Sequence, residues 1–364
     1  MKKNLPETDL LETDLLETDL PETDFESLEL FDKTLSKKFG TQYAGFRNKN
    51  KFESVGRVKL DCLSLNNVLG GGLPVGRIIE IFGDTSVGKS TLASHIVSSY
   101  QKQNKLCMWV DAEHAIDPDF MIYCGVNLDK LCTFAPNSAE EALEAIRTGI
   151  KLQDSAGNPV LNLIVLDSVA ALVPSGDLDE KKEMGTTMIG SLARLMSNAL
   201  KQLVTLAAER NISIILLNQE RGQNLLGYGS KSTTCGGRAV HYYCSVRLDL
   251  NRVSWLEDAK EKIGQIVSIQ AVKNKTSTPF KKVEIPFIFP IKRNDTIIAG
   301  VDVFADTVNL SLDANIIQQH GAWFYVPHLD KKVAGLQKVY DYYLEHPDSY
   351  LDLQLQLNSI LNLS

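Results

Sequence analysis

RIIEIFGDTSVGKSTLASHIVSSY, residues 77–100, reads as strand, loop and helix in immediate succession. RIIEIF is a short apolar, β-branched run, and LASHIVSSY spaces its apolar residues as a helix does. Between them lies GDTSVGKST, Gly83 to Thr91, whose Gly83, Gly88, Lys89 and Ser90 complete the pattern G-x-x-x-x-G-K-[ST]. Glycines let a backbone wrap a phosphate with its N–H groups. The helix that follows aims its positive N-terminal end at the same anion. In such a loop Asp84, Thr85, Ser86, Val87 and Thr91 complete the cradle. Lys89 reaches the β- and γ-phosphates and the Ser90 hydroxyl ligates Mg²⁺. The loop names a nucleotide and leaves its purpose open.

The same alternation continues outward. KLCMWVDAE (105–113), LNLIVLDS (161–168) and ISIILLNQ (212–219) read as further strands. EEALEAIRTGIKLQ (140–153) and MIGSLARLMSNALKQLVTLAAERN (188–211) read as the helices between them. Apolar strands alternating with helices predict an α/β fold whose mostly parallel sheet is covered on both faces. After Gly237 the pattern changes. HYYCSVRLDLNRV (241–253), GQIVSIQAVKNK (264–275) and KKVEIPFIF (281–289) are successive strand patterns, an antiparallel extension of the sheet. The final residues mix short strands with helices such as AGLQKVYDYYLE (334–345), a small α+β lobe.

The N-terminus is of another kind. Residues 1–24 hold the five-residue repeat PETDL, LETDL, LETDL, PETDF. On a helix each repeat advances about 500°, so its leucines spiral round the axis, and on a strand they change faces. Two prolines and dense acid complete the expectation of a disordered tail. FESLELFDKTLSKKFG (25–40) is amphipathic and helical and stops on Gly. The expected segments are the acidic tail 1–24, a helix–strand segment 25–58, a nucleotide-binding core 59–294 and a C-terminal lobe 295–364.

Composition bounds the rest. The chain has 364 residues, 44% hydrophobic and 23% charged, as soluble globular proteins do. Its longest apolar runs, LIVL and IILL, are strand-sized and far short of a membrane span. MKKNLPETDL lacks the apolar centre of a secretory signal, which predicts a cytoplasmic protein. Six scattered cysteines (62, 107, 124, 132, 235 and 244) form no CxxC pair and predict buried, reduced thiols. The net charge is -7, yet residues 1–30 alone carry ten acids and two lysines, which leaves the other 334 residues near neutrality. A neutral body can still bind nucleic acid through local basic loops.

A nucleotide site needs a carboxylate on a neighbouring strand to hold the metal's water shell. Asp167 ends LIVLD on the side where parallel strands present ligands. Hydrolysis also needs a group to orient or deprotonate water. Glu113, at the end of KLCMWVDAE, suits that role. Gln219, after IILLN, is a third polar strand end, able to sense a γ-phosphate without titrating. The 19-residue stretch ERGQNLLGYGSKSTTCGGR (220–238) is long for a loop inside a compact domain and suggests function.

DAEHAIDP (111–118), VLDSVAALVP (165–174), LARLMSNALKQL (192–203), LNQ-R (217–221), TTCGG (233–237), SVRLDLNR (245–252) and VKNKTSTPF (272–280) together resemble the bacterial RecA recombinase family. GGGLPVGRIIEIFG (70–83) and GAWFYV (321–326) extend the resemblance over about residues 30–345. It implies a RecA-type P-loop NTPase core and an ATP- and Mg²⁺-dependent, DNA-dependent ATPase. Such a protein coats single-stranded DNA as a homo-oligomeric filament, pairs it with homologous duplex and exchanges strands in DNA repair and the SOS response. A LexA-type repressor is a further partner the resemblance implies. By the same resemblance Lys89 and Ser90 are the phosphate and Mg²⁺ residues, Glu113 activates water and Asp167 is the second metal-site carboxylate. Asp117 and Phe120 contact and stack on adenine, with Phe120 in place of the usual Tyr. Gln219 switches between γ-phosphate and DNA, and Lys273 and Lys275 reach the γ-phosphate bound to the adjacent subunit. Two DNA loops are implied, 174–190 with Ile189 as apolar wedge and Arg194 on the helix beyond, and 220–238 with Gly236 and Gly237 at phosphates. Arg221 and Arg238 are plausible phosphate partners there.

The chain also departs from that pattern. Gly222, Gln223 and Asn224 replace a basic and apolar run, with Leu225 and Leu226 beside the wedge position. Glu220 replaces an apolar residue, Ser232 the loop's usual acid, Thr85 a Glu and His241 a cross-interface Lys. The usual acidic C-terminus is instead QLQLNSILNLS, and the acid sits at the N-terminus, where the repeat is expected to gate access to duplex DNA. A ring motor or switch built on the same core is a rival reading. So is a DNA-binding ATPase paralogue without efficient strand exchange.

Overall fold

A computed structural model describes residues 30–38 (save Asp32 and Ser36), 55–178, 190–221, 233–293 and 296–361 (save His328 and Asp330). Met1–Ser54 and Val55–Ser364 are separate units. In the first, the described residues between Leu30 and Lys38 are helical, as the amphipathic spacing predicts, and Leu30 and Phe31 are exposed. The repeat of residues 1–24 lies outside the described residues.

The second unit opens with β1 (Arg57–Val58), α1 (Leu63–Leu69) and β2 (Leu73–Pro74), which pairs with β1. β3 (Ile78–Gly83), α2 (Lys89–Lys102), β4 (Cys107–Asp111), α3 (Pro118–Tyr123), β5 (Leu131–Phe134), α4 (Ala139–Lys151), β6 (Leu163–Asp167), α5 (Ser191–Arg210) and β7 (Ser213–Arg221) give the expected alternation. β8 (Thr233–Thr234), α6 (Arg238–Tyr243), β9 (Val246–Asp258), β10 (Glu261–Asn274), β11 (Lys282–Arg293) and β12 (Thr296–Val301) follow. The main sheet runs β12-β11-β10-β9-β3-β7-β6-β4-β5, with β8 against β7. Strands β9, β3, β7, β6, β4 and β5 are parallel neighbours, and β9 to β12 antiparallel.

Burial on both faces explains why the strands read as unbroken apolar runs. Along β3, Ile79 and Ile81 join Leu92, Ile96 and Tyr100 of α2 in one core. Ile78 faces the other way, to Ile146 of α4 and Leu200 and Leu203 of α5. α4 is capped at its start: Ser138 Oγ accepts from the Glu141 N–H at 3.2 Å, and Glu141 Oε2 reaches back to accept from the N–H of Asn137, the residue before the cap, at 2.8 Å. The last lobe holds α7 (Val303–Asp313), a three-stranded sheet of β13 (Gln318–His320), β14 (Trp323–Tyr325) and β15 (Val333–Ala334), α8 (Leu336–Glu345) and α9 (Pro347–Ile360). Val308, Phe324, Val339, Tyr343 and Leu353 form its core.

Several expectations are corrected. HYYCSV is not all strand: Arg238–Tyr243 is helix α6, because Val240 and Cys244, four apart, bury one helical face. Two parallel strands join the four expected: β9, which pairs parallel with β3 before the antiparallel extension begins, and β5 at the sheet edge, too short and exposed to show a pattern. β12, at the start of the final segment, pairs with β11 in the main sheet. Cys132 is exposed and Cys124 half-buried, whereas the other four thiols are buried. Among the described residues, no helix is long and apolar enough to cross a membrane.

Candidate functional site

The C-terminal ends of β3, β7, β6 and β4 form one sheet edge, and the predicted residues gather there. Gly83 ends β3, and the loop 84–88 leads into α2 at Gly88. Gly88 has φ 101°, and a Cβ on it would lie 2.7 Å from the Phe287 ring, so only glycine fits. At Gly83 a Cβ would stand 2.2 Å from Leu250 O. Lys89 folds back over the loop, its Nζ donating to Gly83 O at 3.1 Å and Asp84 O at 2.7 Å. Burial lowers its pKa, and Glu113, Asp167 and Asp84 oppose that shift. Gln265 of β10 braces the loop from below, with Nε2 3.4 Å from Ser86 O.

Asp167 ends β6. β7 lies between β3 and β6, so the two strands are not the neighbours expected, yet Ser90 Oγ donates to Asp167 Oδ2 at 2.8 Å. Burial pushes the Asp167 carboxyl up to about 6; the Ser90 hydrogen bond opposes this, and Glu113 and Asp111 add to it. Ser168, joined to Asp167 by a cis peptide bond, donates to Glu113 Oε1 at 2.5 Å. Asp167 O also accepts from the N–H groups of Ala112 (2.7 Å) and Glu113 (3.2 Å). Glu113 is thus held beside the carboxylate while its own side chain stays exposed. The buried Asp111 shapes the next turn by accepting from the N–H groups of Ala115 and Ile116 at 3.2 Å. Asp117 caps α3, accepting from Asp119 and Phe120 N–H, and Phe120 is half-buried on the first turn. Gln219 pairs in register with Gly83, which puts it at the entrance to the loop.

Oxygen donors alone converge at Ser90 and Asp167, a set that suits a hard cation such as Mg²⁺. Among the described residues there is no cluster of three or more His, Cys, Asp or Glu able to hold a metal unaided.

Both predicted DNA loops leave from this edge, and their bases are pinned. Ser191 Oγ donates to Asp177 Oδ2 at 2.7 Å across the first. Glu220 and Arg221 pair with Thr234 and Thr233 across the second. Gly237 sits so close to α5 that a Cβ would meet Ala193 Cβ at 2.8 Å. Arg194 and Arg238, the residues that follow these two, are exposed. Ile189, Asn224 and the side chain of Arg221 lie outside the described residues.

Lys273 and Lys275 do not join the others. Lys273 pairs with Arg247 and Asn274 with Val246, and those residues register with Glu80 and Ile79, at the start of β3 rather than its end. Lys273 Nζ donates to His241 O (2.7 Å) and Tyr242 O (3.0 Å), and Lys275 Nζ lies 5.7 Å from the centre of the Tyr242 ring. Sequence reasoning missed Ser168, Gln265 and Phe287, for which no local signal exists. It also passed over Glu80, whose signal was present: an acid in the middle of an apolar strand.

A family profile described as the RecA N-terminal domain matches residues 27–292. Protein RecA of Methylobacterium radiotolerans is 41% identical over 276 residues, 76% of this chain and 72% of that protein. Protein RecA of Chloroflexus aurantiacus is 38% identical over 286 residues, 78% and 77% of the two chains. Protein RecA of Staphylococcus carnosus is 33% identical over 339 residues, 93% and 91%. With a profile spanning most of its length and a relative matched nearly end to end, the chain belongs to the RecA family.

Proposed function

We propose that this chain is an ATP-dependent DNA recombinase, which assembles on single-stranded DNA, pairs it with homologous duplex and hydrolyses ATP in response to DNA. The observation that carries this is the shared sheet edge: a phosphate loop, the Ser90–Asp167 pair and Glu113 lie where both long loops depart. The backbone of residues 83–88, Lys89 and Thr91 would hold the phosphates, Asp117 and Phe120 the base, and Ser90 and Asp167 the cation. Bound Mg²⁺ supplies charge neutralisation at the phosphates. Glu113, exposed and steadied by Ser168, orients and deprotonates the attacking water. Gln219, one strand over from Gly83, reports the state of the phosphate end to the loop it precedes. Arg194, Arg238, Gly236 and Gly237 meet DNA phosphates, and Arg221 and Ile189 belong to the same interface.

Lys273 and Lys275 lie at the wrong end of β3 to serve their own loop, which favours service to the nucleotide of an adjacent copy. Exposed apolar surfaces among the described residues favour the same assembly. One is an open groove of about 990 Å³ along edge strand β5 and α4, lined by Leu106, Phe134 and Leu152. Another is Leu30 and Phe31, exposed in their own chain. Cytoplasmic location and a LexA-type repressor partner follow from the family alone.

The test is ATP hydrolysis with and without single-stranded DNA, strand exchange, and electron microscopy of the DNA complex. Glu113→Gln is expected to keep ATP binding and lose at least ~100-fold in hydrolysis. A ring without DNA dependence would overturn the proposal. Gly222, Gln223 and Asn224 favour a second reading, a DNA-binding regulatory ATPase. Hydrolysis stimulated by DNA without joint molecules would select it.

A further inference from the structure

A buried polar chain crosses the sheet beneath α6, and the chemistry above makes no use of it. Glu80, Asn218 and Arg247 are all buried among aliphatic side chains. Glu80 registers with Arg247 on β9 and with Leu216 on β7, so Asn218 is its diagonal neighbour on one face. Arg247 Nε donates to Glu80 Oε2 at 2.5 Å, and Asn218 Nδ2 donates to Glu80 Oε1 at 2.9 Å. Both carboxylate oxygens are thereby engaged. The guanidinium also lies over the Phe82 ring, 4.4 Å from its centre.

The chain then reaches out at both ends. Asn218 grips the base of the second loop, Nδ2 donating to Cys235 O (2.9 Å) and Oδ1 accepting from the N–H groups of Cys235 (3.2 Å) and Gln219 (2.9 Å). At the other end Arg247 donates to His241 Nδ1 at 2.6 Å. Arginine has no acceptor, so that imidazole is neutral, with its proton on Nε2. His241 belongs to α6, whose last carbonyls hold the Lys273 ammonium. The other end of α6 begins at Gly237, and the loop base is wedged against it: a Cβ on Gly236 would stand 2.8 Å from Val240. A buried ion pair contributes little net stability compared with an apolar pair of similar size. What an ion pair adds here is direction, because both partners fix neighbours on either side.

We infer that Asn218, Glu80, Arg247 and His241 form a strut that positions α6, so that the base of the second loop and the Lys273–Lys275 edge move as one body. Resting on the function proposed above, this makes them positioning residues for DNA-stimulated hydrolysis, acting through Gln219 at one end and Lys273 at the other.

The test is the ratio of ATP hydrolysis with and without single-stranded DNA in the full chain, with KM and the thermal midpoint measured alongside. E80M combined with R247M removes both charges and leaves none buried alone. It is expected to keep the DNA-free rate and KM within about twofold and lose about tenfold in the ratio, the size of a typical coupling. His241 is exposed, so H241A folds whether or not the double variant does. It is expected to lose part of the ratio, and H241Q, whose amide oxygen can accept from Arg247, to restore it. Arg247, Lys273 and Glu80 face His241; burial and the two cations lower its pKa, and Glu80 opposes them. A protonated imidazole cannot accept from Arg247, so the wild-type ratio should hold at neutral pH and fall only as pH drops below the ordinary histidine value of 6.5, while that of H241Q stays flat. Taking a ratio cancels Asp167, which titrates in both rates. Wild-type ratios in all variants overturn the strut alone, as does a parallel loss of DNA-free rate, KM and thermal midpoint. No DNA stimulation in the wild type overturns the proposed function and the strut with it.

Discussion

Asp167 shows how a single carboxyl can be poor for the fold and good for the site. Burial and its acidic neighbours Glu113 and Asp111 hold its pKa near 6, against 3.8 when free. The folded chain therefore binds this proton more tightly than the unfolded chain does, and the ionised form costs up to about 3 kcal/mol. That cost is fully present above about pH 6 and is relieved as pH falls from about 6 to about 4. Asp167→Asn should accordingly be more stable than the wild type at pH 7.5, by about 1–3 kcal/mol without nucleotide, with the gap closing near pH 4. Urea unfolding across that range checks it. A cation at Ser90 and Asp167 needs the carboxylate, so Mg·ATP affinity should fall below about pH 6 in the wild type, with proton release on binding visible by calorimetry.

At the scale of elements, α1 and α7 illustrate what a chain conceals. α1 starts at Leu63, and Cys62, its cap residue, makes no side-chain cap. The cap arrives from α7: Asp306 Oδ2 accepts from the Ser64 N–H at 3.2 Å and from Cys62 Sγ at 3.3 Å. Burial raises the Asp306 pKa and these hydrogen bonds oppose it. Asp306→Ala leaves the start of α1 without that acceptor and should lower stability by about 1–3 kcal/mol. It should also hasten proteolysis at the junction before Val303, with Asp306→Asn milder on both counts. No local pattern announces this contact, just as none announces the Glu80–Arg247 pair. The phosphate loop was legible because its glycines, lysine and serine act within nine residues, and the parallel strands because burial on both faces leaves continuous apolar runs. α6 was misread because HYYCSV alternates like a strand, while the core its buried Val240 joins, with Val169 and Met196, comes from elsewhere in the chain. The site shows the same division. Asp167 ends β6, and Glu113 and Gln219 stand within two residues of the ends of β4 and β7, as the pattern located them, whereas their order along the sheet edge depends on pairings that only the fold determines.

For the whole molecule the deciding quantity is where charge lies. Residues 1–24 carry eight acids and two lysines, so removing them takes the net charge from -7 to -1. Duplex DNA is a polyanion whose encounter with a protein is governed by the summed field and screened by salt. A dense acidic segment joined to a nearly neutral body repels duplex and competes for the cations that meet phosphate. Deleting residues 1–24 should therefore raise the association rate on duplex several-fold at about 50 mM salt, where the Debye length exceeds ~10 Å. The advantage should shrink toward nothing by about 0.5 M salt. The DNA-free ATPase rate should not change, because Lys89, Ser90, Glu113 and Asp167 all lie in the separate unit Val55–Ser364. Stopped-flow association with labelled duplex at a series of salt concentrations checks this. Equal rates for the two chains at low salt would show that the repeat exerts no field on DNA, and a difference that persists at high salt would show a contact rather than a field.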